Sequence, residues 1–309
     1  MEHRKFDKLL NQLRELTAAQ AEKVVTALRL HGTENAVCQS IEERQAVAPK
    51  CPHCGATHIR RYGKEHGLQR YACVACGRTF NALTGTPLAR LRKKECWSSF
   101  AGSLQQSHSV REAARQAGVA KTTSFRWRHR FLQLDKDDLK QTLTGIVEID
   151  ESFILESRKG ERGLLREARQ RGGKAKKPGL SDEQTPVLIA RDRYGDQIDA
   201  VLPNRSAEAV AAALDDVLAK DNVLLCLDGD AAVIAYAKQQ GIEFETIIAS
   251  KGEHVHEKVL HLQNVNAAAS RFKQWLARFN GVASKYLPNY LAWRRRLETG
   301  KLPFVTAAC

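Results

Sequence analysis

Apolar residues recur at helical spacing near the start of the chain: Phe6, Leu9, Leu10, Leu13 and Leu16, then Val24, Val25 and Leu28. The three-to-four-residue step puts them on one face and predicts a helical hairpin between Phe6 and Leu30. Thr17 followed by Gln20 has capping-box spacing and predicts where its second helix begins. Glu34 to Lys50 is polar and reads as a linker. The step then shortens. Ile59–Tyr62, Leu68–Tyr71 and Arg78–Phe80 read as short strands, the first two separated by Gly63 and Gly67. Helical spacing returns at Val110–Ala117, preceded by Ser109 with Glu112 at capping-box distance. Gly118-Val119 makes a turn, and a second helix starts near Lys121 and carries Ser124, Arg126, Trp127, Arg128 and Arg130.

After Gly145 the pattern becomes α/β. Strands are expected at Ile146–Asp150, Pro186–Ala190, Gln197–Leu202, Asn222–Leu227 and Phe244–Ile248. Helices are expected from Ser206 to Ala219 and from Ala231 to Gln240. Three strands, then helix, strand, helix, strand, helix is the element order of a ribonuclease-H-like domain with a mixed five-stranded sheet.

Composition narrows the function classes. The chain has 309 residues, 49 Lys+Arg against 35 Asp+Glu, and a formal net charge of +14. That surplus favours a polyanionic partner, DNA or RNA. No apolar run approaches the length of a membrane span, and MEHRKFDKLL lacks the apolar stretch of a leader, so no membrane and a cytoplasmic location are expected. Eight cysteines in such a chain do not make a disulfide framework.

Four of those cysteines carry chemistry. Cys51-Pro-His-Cys54 and Cys73-Val-Ala-Cys76 are two tight knuckles, each followed by glycine, and together they supply the closed tetrahedral sulfur shell of one structural zinc. Arg60, Arg61 and Arg78 lie on this ribbon and suit phosphate contacts, while Tyr62, Tyr71 and Phe80 are expected to form its small core. Val110–Arg130 has the helix-turn-helix pattern, which assigns Lys121, Thr122, Thr123, Arg126 and Arg130 to groove or phosphate contacts and leaves Trp127 and Phe131 to the interior. An ordinary helical corner has the same spacing. A basic loop, Arg158 to Lys177, adds Arg171 and Lys174 as phosphate contacts.

Asp150 ends the first α/β strand and Asp228 follows the fourth. In the expected topology these strands are neighbours, so both carboxylates reach one sheet edge. Such a pair attracts magnesium or manganese, and two such ions activate a water or 3′-hydroxyl against a phosphodiester. By alternation Glu148 shares the face of Asp150, and Glu151 points the other way.

These residues carry a resemblance. Cys51–Cys76 with Gly77–Leu88, Val147–Phe153, Arg171–Ala175, Gly179–Glu183, Asp228-Gly229, Gln263–Asn266, Phe279–Ala283 and Lys285–Arg294 resemble bacterial insertion-sequence transposases of the DDE superfamily, in the family with an N-terminal zinc ribbon and an ISXO-like transposase domain. The resemblance implies binding of terminal inverted repeats and target DNA by a homodimer or larger oligomer, with cleavage and transfer of strands. Asp150 and Asp228 match its first two metal-binding aspartates. The family's third ligand sits on the last helix with a lysine four residues on. That register falls on Ala269 and Lys273, and alanine has no ligand atom. Asn266, Asn264, His261 and Glu257 are alternative donors; Asn266 also reads as a capping residue for that helix.

The fold expected is therefore multi-domain α+β: a helical region over 1–48, a zinc ribbon over 49–88, a helix-turn-helix domain over 89–140 and a ribonuclease-H-like domain over 141–300. Two other readings share these features. One is a transposase-derived DNA-binding regulator, which Ala269 favours, and the other is a zinc-ribbon RNA-processing nuclease.

Overall fold

The computed structural model describes residues 12–13, 16–45, 50–133, 142–164, 167, 173, 175–176, 181, 183–247 and 259–300. The first half of the expected N-terminal hairpin falls largely outside them, as do Arg171, Lys174 and Glu257. Among the described residues, no helix is long and apolar enough to cross a membrane. The chain divides into two compact units, one ending near residue 134 and the other continuing to about 301.

In the first unit, helix α1 (Ala18–Gln45) begins where Thr17 and Gln20 predict it. Gln20 Oε1 accepts from the Thr17 amide at 2.9 Å, and Thr17 Oγ1 accepts from the Gln20 amide at 3.4 Å. The polar stretch expected to be a linker continues this helix as far as Gln45. The physical reason lies in its few apolar residues: Val37, Cys38 and Ile41 share one face and are buried. Cys38 Sγ reaches the His66 carbonyl at 3.8 Å, and Glu42 Oε1 accepts from the Gln69 amide.

Three antiparallel strands follow, β1 (Ile59–Glu65), β2 (Leu68–Cys73) and β3 (Thr79–Asn81). Phe80 is buried and stacks on Tyr71 with ring centroids 5.6 Å apart. Tyr62 corrects the expectation of a shared aromatic core: it is exposed on β1, with the Arg70 guanidinium 5.5 Å from its ring.

Helices α2 (Trp97–Gln105), α3 (Val110–Gln116) and α4 (Lys121–Phe131) complete the unit. Ser109 and Glu112 form the expected capping box. Trp97, Phe100, Trp127 and Phe131 are buried and meet edge to face, with centroids 5.3 to 6.4 Å apart.

The second unit is built on a mixed five-stranded sheet in the order β6–β5–β4–β7–β8. Its elements in chain order are β4 (Leu143–Leu155), β5 (Gln184–Asp192), β6 (Gln197–Val201), α5 (Ala207–Leu214), β7 (Leu218–Leu227), α6 (Ala231–Gln240), β8 (Glu243–Thr246), α7 (Gln263–Ala277) and α8 (Leu287–Thr299). β4, β5 and β6 pair antiparallel, while β7 joins β4 in parallel and β8 joins β7 in parallel. The helix expected to reach Ala219 stops at Leu214, because Leu218 already pairs with Leu143 at the start of β7.

Alternation sorts the side chains. Val147 and Ile149 on β4, with Leu225 and Leu227 on β7, enter a core closed by Val210 and Leu214 of α5 and by Val233 and Tyr236 of α6. The even-numbered residues of β4 point to the opposite face, where α7 lies. Helices α7 and α8 are held together by Trp275, Tyr290 and Trp293, with Phe279 just beyond α7.

Candidate active site and metal centre

The four knuckle cysteines converge. Their sulfurs all lie within 4.8 Å of one another, with Cys51 to Cys76 at 3.7 Å and Cys54 to Cys73 at 3.6 Å. Each knuckle closes the same way: Gly55 N donates to Cys51 O at 2.8 Å and Gly77 N to Cys73 O at 3.0 Å. Both glycines have a left-handed backbone, φ 76° and 70°, which a side chain would strain. The amide of Cys76 leads in lowering the Cys73 thiol to about 7. Cys54 feels a lowering amide from Ala56, but the neighbouring sulfurs and burial outweigh it and carry this thiol to about 12. Four sulfurs this close do not all ionise without a cation, so the donor set fits one soft divalent metal ion.

The basic residues assigned to DNA divide in two. Arg60, Arg61 and Arg78 are exposed on the ribbon, and Lys121, Thr122 and Arg126 are exposed along α4; Thr123 is half-buried. Arg130 is placed differently from the expectation. Its Nε donates to the Pro87 carbonyl and its Nη2 to the Ala89 carbonyl at 3.0 Å. The guanidinium is turned onto the chain that enters the helical domain. Ser124, also on α4, is buried and ties to α3 through the Val110 carbonyl at 3.0 Å.

In the second unit, Glu148 pairs with Cys226 and Ile149 with Leu227, so Asp150 and Asp228 occupy the next matched position of the parallel β4–β7 pair. Asp150 is half-buried, and Asp228 is exposed at the end of β7. Burial first, and then the charge of Asp228, raise the Asp150 carboxyl to about 6; the Glu151 amide and the charge of Lys273 pull it back. Asp150 does not end its strand as expected, because pairing with β5 carries β4 on to Leu155. It stands beside the end of β7, where the two carboxylates repel each other, with the α7 lysine within electrostatic reach. An oxygen-bound divalent cation fits this pair.

Ala269 lies one turn before Lys273 on α7 and is buried. It presents a methyl group where a third oxygen ligand is expected. Asn266 is exposed in the first turns of α7, and it does not cap that helix: the cap position is Leu262. His261 and Asn264 are engaged elsewhere, by Glu148.

Glu148 is fully buried on β4 and accepts the Asn264 amide at 2.8 Å, Asn264 Nδ2 at 2.8 Å and the Val265 amide at 3.0 Å. Arg193 Nη1 pairs with it at 2.9 Å, and His261 Nδ1 lies 3.4 Å away. A carboxylate at a helix N-terminus satisfies free amides and meets the positive end of the dipole. The side chain two residues before Asp150 therefore fixes the helix that carries Ala269 and Lys273.

On the other face, Glu151 pairs with Arg205 at 2.6 Å, and Arg205 also pairs with Asp230. Asp230 caps α6, accepting from Ala232 N at 2.9 Å and Val233 N at 3.1 Å, while its own amide donates to Asp228 Oδ1 at 3.1 Å. Arg205 links the strand of Asp150 to the loop of Asp228. Sequence reasoning missed Arg193, Arg205 and Asp230 and left Glu148 without a partner. The one available signal was that Glu148, an ionisable residue, alternates onto a face that a strand of this kind covers.

Residues 142–295 match the ISXO2-like transposase domain. An uncharacterized protein in transposable element ISH50 of Halobacterium salinarum is 27% identical over 257 residues, covering 82% of this chain and 86% of that protein. Among solved structures, a pre-cleavage Mos1 transpososome is 14% identical over 70% of this chain and 80% of that one, with a TM-score of 0.22. A Mos1 transposase paired-end complex with the left transposon end is 15% identical over 65% and 77%, again with a TM-score of 0.22. Scores that low carry no argument about geometry. The second unit, sheet and helices α5 to α8 together, coincides in extent with the matched domain, and on that match the chain belongs to the insertion-sequence transposases with an ISXO2-like transposase domain.

Proposed function

We propose that this chain is a transposase that binds the ends of its own insertion element and cuts and joins DNA with a divalent-metal site at Asp150 and Asp228. The observation that carries the reading is the matched register of these two carboxylates on neighbouring parallel strands, with Lys273 within electrostatic reach. The strand order 3-2-1-4-5, counted within the second unit, supports reading that unit as ribonuclease-H-like. Magnesium or manganese, when bound, supplies an activated oxygen nucleophile and stabilises the leaving oxygen. The protein's part is placement. Asp150 and Asp228 offer the ligand oxygens, Glu148 sets α7 against β4, and Lys273 brings a positive charge that suits a phosphodiester.

The first unit is read as the DNA-binding part. Its four cysteines hold one zinc, and Arg60, Arg61, Arg78, Lys121, Thr122 and Arg126 face the nucleic acid. Arg171 and Lys174 are proposed to add phosphate contacts. Joining two element ends in one event calls for at least two copies on DNA, and the action is placed in the cytoplasm.

The test is end cleavage of labelled DNA taken from either side of the gene, in magnesium and in manganese. Asp150→Asn and Asp228→Asn should each abolish cleavage while leaving DNA binding intact. Cleavage that survives both changes would remove the site from this reading.

Ala269 favours a second reading, a DNA-binding regulator of transposase descent. Ala269→Glu, Ala269→Asp and Ala269→His in the same assay separate the two. Cleavage that appears only in the restored variants marks the present chain as a binder. Robust cleavage by the unaltered chain, unimproved by restoration, shows that the third ligand lies elsewhere.

A further inference from the structure

The transposase reading leaves an arginine-lined cleft unused. It has a volume of about 250 Å³ and lies on the α7–α8 side of the second unit. Arg191 near the end of β5, Arg271 on α7 and Arg295 on α8 line it, with Gly195 from the β5–β6 turn, Gln197 at the start of β6 and Glu298 on α8.

The charges there do not cancel. Glu298 pairs with Arg294 on its own helix at 2.7 Å and stands 3.7 Å from Arg271. Asp199, nearly enclosed, stands 3.5 Å from Arg295. Arg191 has no carboxylate among its described partners; it donates to Gln197 Oε1 at 3.0 Å. Four guanidiniums meet two carboxylates, and three of them open on one concave space. A guanidinium presents five donors in a planar fork, and one hydrogen bond or one ion pair leaves most of them for a further acceptor. A single tetrahedral anion with several acceptor oxygens suits such a space.

The cleft is separate from the carboxylate pair. Arg271 and Lys273 are two residues apart on α7 and so point to nearly opposite sides of the helix. Lys273 acts on Asp150, while Arg271 faces Glu298 and α8. A helix about 10 Å across therefore lies between the cleft and the candidate cleavage site.

We propose that the Arg191–Arg271–Arg295 cleft binds a phosphate group of the DNA backbone, away from the phosphate being cleaved. This rests on the transposase reading for its choice of DNA over free phosphate. Such a contact carries no sequence information and fixes how the duplex lies across the catalytic unit.

The experiment uses the full chain and two probes, a random-sequence DNA duplex and inorganic phosphate. Duplex affinity is measured across a salt series for the unaltered protein, Arg271→Ala, Arg271→Lys and Arg191→Ala/Arg271→Ala. Arg271→Ala should reduce the slope of log affinity against log salt by about 0.9, the value for one lost phosphate contact on duplex DNA. Arg271→Lys keeps the charge and should restore the slope. Inorganic phosphate should raise the unfolding temperature of the unaltered protein and leave that of the double variant unmoved. An unchanged slope in Arg271→Ala and in the double variant, with duplex bound normally, overturns the proposal. If the unaltered chain binds no duplex, the DNA reading fails instead. Phosphate protection lost in the double variant then assigns the cleft to free phosphate, and equal protection in both proteins ends the proposal.

Discussion

Glu148 and Asn264, 116 residues apart, are joined twice: one carboxylate oxygen accepts the Asn264 backbone amide and the other accepts its side-chain amide, both at 2.8 Å. Strand β4 and helix α7 are thereby held in one register, at a place where solvent does not reach the carboxylate.

Glu148→Ala should be strongly destabilising, by about 3–5 kcal/mol, because it leaves Arg193 and two helix amides without their buried acceptor. Glu148→Gln keeps one acceptor oxygen and should cost clearly less. Urea denaturation gives the free energies, and hydrogen exchange at the Asn264 and Val265 amides reports the site directly. Exchange at those amides unchanged in Glu148→Ala would contradict the proposed lock.

Arg205→Ala should loosen the Asp228 loop without unfolding the sheet, since Arg205 is partly exposed and bridges the Glu151 side chain on β4 to the cap residue Asp230, while the β4 ladder itself is held by its backbone pairing with β5. The expected signs are a modest loss of stability, about 1–2 kcal/mol, and faster exchange at Ala232 and Val233. A double-mutant cycle with Glu151→Gln should show coupling; strict additivity would mean that the bridge is incidental.

One zinc per chain should be found by metal analysis, and Cys51→Ser should lose it. Chelation should melt the metal end of the ribbon, where Phe80 is the one buried apolar side chain clustered with the cysteines among the described residues. A Cys51→Ser protein that retains a full zinc equivalent would show that the metal sits elsewhere.

Arg126→Ala and Arg130→Ala should part company. Arg126 is exposed on α4, so its loss should weaken duplex binding and lower the salt slope by roughly one. Arg130 holds two backbone carbonyls, so its loss should appear mainly as reduced stability of the first unit. Titrations across salt and thermal melts on both proteins separate the effects, and a reversed pattern would refute this assignment of roles.

Local signals made much of this legible. The cysteine knuckles, the Ser109–Glu112 capping box, the Thr17–Gln20 start and the alternation of β4 each reside in a few adjacent residues. What stayed hidden depends on partners far along the chain. Glu148 reads as an unremarkable strand carboxylate until Asn264, Val265 and Arg193 are folded around it. Arg130 has the composition of a DNA contact and differs from Arg126 only by the carbonyls it finds more than forty residues away. The stretch after Glu34 looked like a linker because a helix that packs only Val37, Cys38 and Ile41 carries too few apolar residues for its periodicity to stand out.

That helix has a consequence for dissecting the protein. Cys38 Sγ lies where a side chain at position 67 would begin: a Cβ on Gly67 would come within 2.8 Å of it, at a backbone φ of +78°. The hairpin turn of the ribbon and helix α1 are shaped to each other at this point, and Leu68 beside it is almost wholly enclosed. A fragment cut at residue 49, where composition invites the cut, would start with that turn stripped bare and Leu68 facing water. A piece of the first unit meant to fold alone should therefore keep the Val37–Glu42 turns of α1, and fragments that begin after them should be recovered as aggregates or as ribbons that shed their metal.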